Sequence, residues 1–100
     1  MVILEKVRIL YKEYKIEQEG NLHDGKDDLY GQIHYLDEKI LLNSDSSEEQ
    51  KKATLIHELI HGMDEMYKMG LSEEQVEKLG NAFYMMLRDN LDMFEGSDIS

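Results

Sequence analysis

The chain contains no cysteine and no proline, and its 11 Lys and Arg residues are outnumbered by 22 Asp and Glu. Without cysteine, no disulfide can staple the fold and nothing points to an oxidising compartment. Any metal site must then be built from His, Asp and Glu. Without proline, no helix is broken by a missing N–H. The formal net charge of -11 argues against a nucleic-acid partner, because phosphate repels an acidic surface. The same charge suits a basic partner, or simply keeps the chain in solution. A long apolar run is also missing at the start. Met1 to Leu10 carries Glu5, Lys6 and Arg8, so it reads as neither a signal peptide nor a membrane span. A cytoplasmic location without membrane contact is the expectation.

What is present suits one small domain. A length of 100 residues with 41% hydrophobic content is enough for a single core. The first half reads as strands and the second as helices. Val7, Ile9 and Tyr11 alternate with Arg8, Leu10 and Lys12 in a period of two, and Tyr14 and Ile16 extend or follow that strand. Asn21 to Leu29, polar and holding Gly25, reads as a loop. Residues 32–36 (QIHYL) and 39–43 (KILLN) read as two strands of an antiparallel hairpin joined at Asp37-Glu38. The sheet region spans about 2–43.

Both helix starts are explicit. Ser47-Glu48-Glu49-Gln50 and Ser72-Glu73-Glu74-Gln75 each fit a capping box, with glutamates in the first turn to complement the helix dipole. Leu71 and Val76 hold the positions of a hydrophobic staple, and Gly70 suits a left-handed helix end. The helices are expected at about 48–69 and 73–90, antiparallel across a short link. The helical region spans about 47–91, and a tail at about 95–100 is expected to fray. The fold class is α+β: a three-stranded, mostly antiparallel sheet packed on an antiparallel helix hairpin.

The first helix carries His57-Glu58-Leu59-Ile60-His61, an HExxH motif. Histidines four residues apart lie one turn apart on one face, so both imidazoles can reach one metal ion. The intervening glutamate can take a proton from water beside that ion. The motif is the zinc-binding and catalytic signature of metalloproteases, and one zinc ion per chain is the implied cofactor. At about 100° per residue, Ala53, Leu55, Ile56, Leu59, Ile60, Met63, Met66 and Tyr67 share a broad apolar face. Thr54, His57, Glu58, His61, Asp64 and Glu65 share the polar one.

A catalytic zinc takes three protein ligands and keeps one position open. If the hairpin turn centres near Gly70 and Leu71, position 77 lies level with Asp64 and within a turn of His61. Glu77 is then the expected third ligand, with room supplied by Gly80. Glu73, Glu74 and Asp64 are its rivals, Glu73 having a capping explanation. Asp64 also suits a partner that orients a ligating imidazole. Tyr84, Tyr67, Tyr35 and His34 are candidate donors to an oxyanion, Tyr84 lying near Glu77 in the supporting shell. His23, in a polar loop, reads as solvated.

Thr54 to His61 (TLIHELIH) and Glu77 to Tyr84 (EKLGNAFY) together resemble the ImmA/IrrE family of zinc metallopeptidases, in particular its short members from phages and mobile elements. The family's second motif runs like E-x-x-A-N-x-F-A. Glu77, Asn81 and Phe83 match it, while Gly80 and Tyr84 replace alanines. Residues 31–35 and 39–43 resemble the family's sheet leading into its active-site helix. The resemblance covers residues 30 to 90 and implies a zincin-like domain in which His57, His61 and Glu77 bind zinc and Glu58 is the general base. It implies a protein or peptide substrate, such as a transcriptional regulator, and a bacterial host cytoplasm. The shorter spacing between His61 and Glu77 departs from larger members. A different class also fits these residues: a non-catalytic metal-binding protein that acts by sequestering a partner.

Overall fold

The computed structural model describes residues 1–24 and 27–95. Gly25 of the expected loop, and the expected frayed tail beyond Glu95, lie outside the described residues. The fold is α+β, a four-stranded mixed sheet packed against a two-helix hairpin. Strands β1 (Lys6–Ile9), β2 (Lys12–Glu19), β5 (Gly31–His34) and β6 (Lys39–Asn43) form the sheet in the order β1-β2-β6-β5. Strands β3 (His23–Asp24) and β4 (Asp27–Asp28) pair separately. Helices α1 (Glu48–Tyr67) and α2 (Glu73–Asp89) follow, with a short α3 (Leu91–Glu95).

Two expectations for the sheet are corrected. The alternating run from Val7 to Lys12 is not one strand. It folds back at Leu10-Tyr11, so that Ile9 pairs with Lys12 and Val7 with Tyr14. Leu10 takes a φ of 55° there, a conformation that leucine rarely adopts, so no Gly or Asn marks the turn. The sheet is also mixed, with four strands where three were expected. β6 pairs antiparallel with β5, as expected, and parallel with β2, Ile16 standing opposite Ile40. The β5–β6 connection spans residues 35–38, with Glu38 at a φ of 54°.

A central position explains the composition of β6. Ile40, Leu41 and Leu42 are all buried, a continuous apolar run typical of a strand covered on both faces. Ile40 and Leu42 join Ile9, Tyr14 and Leu55 of α1 in one core cluster. Leu41 instead shares a hollow with the buried Leu22, just before β3.

Helix α1 is the middle layer. Leu55 faces the sheet, while Ile56 and Ile60 pack with Val76 and Tyr84 of α2. Its apolar face is broad because it serves two neighbours. The helix begins at Ser47, whose Oγ accepts from the Gln50 N–H at 3.1 Å. The reciprocal half of the expected capping box is missing, because the Gln50 amide donates to Thr54 Oγ1 instead. At Ser72 both halves form: Gln75 N–H donates to Ser72 Oγ and Ser72 N–H to Gln75 Oε1. Helix α1 ends at Lys68, left-handed with φ 54°, two residues before Gly70 at φ 73°.

Helix α2 lies outside α1 and contacts no strand among the described residues. Val76, Gly80 and Tyr84 are its buried residues. Leu79, Phe83 and Met86 are exposed, because α1 covers only one side of the helix.

Candidate metal centre and adjoining cleft

The two histidines of the motif stand one turn apart on α1, their ring centroids 5.0 Å apart and their planes crossed at 70°. Both are partly buried. The carboxylate of Glu73, at the first position of α2, spans them. Its Oε1 lies 3.3 Å from His57 Nε2 and its Oε2 3.2 Å from His61 Nε2. The ligand atoms of His57, His61 and Glu73 all lie within 4.8 Å of one another.

This donor set fits a zinc ion. Tetrahedral zinc binds imidazole nitrogen and carboxylate oxygen at about 2.0–2.2 Å, which places neighbouring ligand atoms about 3.3–3.5 Å apart. The two Nε2–oxygen separations, 3.3 and 3.2 Å, lie close to that span. Glu73 approaches from the solvent side, with 69% of its side chain exposed against 28% and 22% for His57 and His61.

Glu73 therefore stands where Glu77 was expected. The reason lies in how the helices meet. Gly80 packs on His57, a Cβ at position 80 falling 3.4 Å from His57 Cα. Counting seven residues from that contact along each antiparallel helix brings position 73, not 77, level with Asp64. The hairpin is thus offset by one helical turn from a pairing centred on the link. Glu77 is exposed and lies outside the three-residue group, although it borders the cleft beside His57.

Glu58 differs from expectation in its surroundings. Only 7% of it is exposed, although its helical phase placed it on the polar face. At Glu58 that face is covered, because β5 packs against α1 there. Gly31 lies so close that a Cβ on it would overlap Thr54 Cγ2. Among the described residues Glu58 has neither a hydrogen-bond nor an ion-pair partner. Burial, with the Glu73 carboxylate adding to it, pushes the Glu58 carboxyl up to about 7. A buried carboxyl with raised proton affinity next to a possible metal group is a recurring feature of catalytic sites.

The remaining candidates lie elsewhere. Asp64 Oδ1 accepts from the Leu71 N–H at 3.1 Å, and its carbonyl takes the Met69 N–H. It ties the interhelical link rather than a histidine. Tyr84 is buried against Ile56 and Ile60, and the Glu49 carboxylate near the start of α1 acts on its phenol. Burial and that carboxylate raise its pKa. Tyr67 is exposed. His34 Nε2 meets Gln32 Oε1 at 3.0 Å, and His23 is exposed on β3. Tyr35, half-buried, donates to the carbonyl of His61 at 3.4 Å. Burial and the nearby Glu65 and Glu58 carboxylates raise its phenol to about 12.

A cleft of ≈ 330 Å³ opens directly beside the metal group. Its walls include Tyr30 just before β5 and Gly31 at its start, Ala53, His57 and Glu58 from α1, and Glu77 and Asn81 from α2. His57 belongs to both features, with Glu58 next to it in the cleft, so the cleft and the candidate metal site are continuous. β5 is the edge strand of the sheet on this side.

In comparisons with known proteins, no family model, curated protein or solved structure matches the chain. No helix among the described residues is long and apolar enough to cross a membrane.

Proposed function

We propose that this protein is a zinc-dependent metallopeptidase that hydrolyses a peptide bond in a protein substrate. The observation that carries the reading is the convergence of His57, His61 and Glu73 beside a buried, unpartnered Glu58. Three protein ligands drawn from His and Glu leave a tetrahedral ion one position short, as in catalytic rather than structural zinc sites. The zinc, when bound, polarises a carbonyl and acidifies water.

The chain's own residues do the rest. His57 and His61 are held rigidly on one face of α1, and Glu73 completes the ligand set from α2. Glu58 takes a proton from water, whose oxygen bonds to the scissile carbonyl carbon. The C–N bond then breaks, and Glu58 returns the proton to the departing amine. A carboxyl whose proton affinity lies near neutrality suits both halves of that transfer. The free edge of β5 offers backbone groups on which an extended substrate can add as a strand.

The resemblance of TLIHELIH and EKLGNAFY to the ImmA/IrrE family supports the same activity. On that basis the substrate is a regulatory protein such as a transcriptional regulator of a mobile element, met in a bacterial cytoplasm. The exposed Leu79, Phe83 and Met86 of α2 favour a second reading, in which this helix holds a partner protein and the metal site does not cleave it.

The test is to incubate zinc-loaded protein with a proteome-derived peptide library and follow new termini by mass spectrometry. Cleavage that disappears in the Glu58→Gln variant, with its zinc retained, supports hydrolysis. A Glu58→Gln protein that keeps both zinc and full biological activity supports the sequestering reading.

A further inference from the structure

The cleft that continues from the metal group has a one-sided chemistry. Among its lining residues, Glu77 and Glu58 are the acids, Gln50 and Asn81 offer amide oxygens, and no Lys or Arg is present. The two carboxylates differ. Glu58 is buried next to the ligands, whereas Glu77 stands exposed at the outer wall. The neighbouring Glu74 is matched by Lys78 at 3.1 Å, but no cation pairs with Glu77 among the described residues. Tyr30, 62% exposed on the opposite wall, presents a ring on which an aliphatic or guanidinium stem can lie.

We infer that this cleft selects a basic side chain, so that the substrate class is a polypeptide carrying Arg or Lys next to the bond that is cleaved. This inference rests on the metallopeptidase reading. Glu77 is the specificity-determining carboxylate, and the Asn81 and Gln50 amide oxygens accept the remaining N–H groups. A cleft of ≈ 330 Å³ sits at the lower end of the range for ligand pockets, about 300–1,000 Å³, which suits one long side chain better than several. The net charge of -11 draws the same class of partner from a distance, most strongly at low ionic strength.

The geometry also gives Glu77 a role apart from metal binding. It lies outside the group formed by His57, His61 and Glu73, yet lines the same cleft as His57. A side chain paired to Glu77 brings its own backbone alongside the metal ligands.

The experiment uses zinc-loaded full-length protein and acetylated, amidated pentapeptides of alanine with a central Arg, Gln, Leu or Glu. Binding is followed by amide chemical-shift perturbation, and cleavage by mass spectrometry. The Arg peptide is expected to bind about tenfold more tightly than the Gln peptide, the size of one charge-assisted hydrogen-bonded pair. Its shifts should centre on Tyr30, Gln50 and Asn81. In Glu77→Gln protein that preference should fall to about one while zinc stays bound. Equal affinity for Arg and Gln peptides, no binding of any peptide, or an Arg preference that survives Glu77→Gln would each overturn the inference. Protein that takes up no zinc would instead sink the metallopeptidase reading beneath it.

Discussion

Gly80 of α2 packs directly on the backbone of His57 in α1, a Cβ at position 80 falling 3.4 Å from His57 Cα. That distance admits one methyl group and little more. Gly80→Ala should keep zinc affinity and stabilise the protein by about 0.5–1 kcal/mol, the usual gain for replacing a mid-helix glycine. Gly80→Leu should force α2 away from α1, carry Glu73 off the histidines and lower zinc affinity by about tenfold or more. Thermal melts and zinc titrations of the two variants check this. Equal zinc affinity in both would contradict the role given to this contact.

The third ligand has its own test. Glu73→Ala should weaken zinc binding by more than the about 10–100-fold typical of losing a supporting partner, because it removes a ligand. Glu77→Ala should leave binding within a few fold. Competition against a chelator of known affinity separates the two variants, and the opposite ranking would restore Glu77 to the metal.

These positions also show how far sequence reasoning reaches. The motif, both serine caps and the helix pair were legible because they are local patterns of spacing and side-chain chemistry. The choice between Glu73 and Glu77 was not, because it depends on a one-turn offset between two helices. Gly80 carried the only hint, since the smallest residue marks where backbones meet. The parallel pairing of β2 with β6 was hidden for a similar reason, as strands separated by residues 20–38 leave no mark on each other's patterns. Leu10 concealed its turn by taking a positive φ. Glu58 reads as a wet-face residue until β5 is seen to cover α1.

Burial of Glu58 sets a pH dependence in metal-free protein. Its folded pKa of about 7 lies above that of an unfolded glutamate, about 4.3. The folded state therefore binds more protons between those values, and stability falls as pH rises from about 4.5 to 7, then levels. The full cost above pH 7 is on the order of 3–4 kcal/mol. Glu58→Gln should remove most of it. In chelator-treated samples the variant should be the more stable protein at pH 8 and nearly equal to the parent at pH 4.5. Urea titrations at the two pH values measure the difference, and a gain that does not vary with pH would exclude the ionisation as its cause.

The fit of β5 against α1 is tight at Gly31, where an added Cβ would meet Thr54 Cγ2 and come within 3.0 Å of the Leu41 carbonyl oxygen. Gly31→Ala should cost about 1–3 kcal/mol, as overpacking usually does. Thr54→Ser removes the methyl group yet keeps a hydroxyl for Gln50, whose amide lies 2.9 Å from Thr54 Oγ1. The double variant should recover part of the loss. Strictly additive effects in a double-mutant cycle would show that the two positions do not touch.

The central claim is that His57, His61 and Glu73 hold one metal ion. Metal analysis of purified protein after zinc loading and desalting tests it most directly, with His57→Ala as the control. The account predicts about one zinc per chain in the parent and a near-complete loss in His57→Ala. Less than about half an equivalent in the parent, unchanged by the substitution, would contradict it.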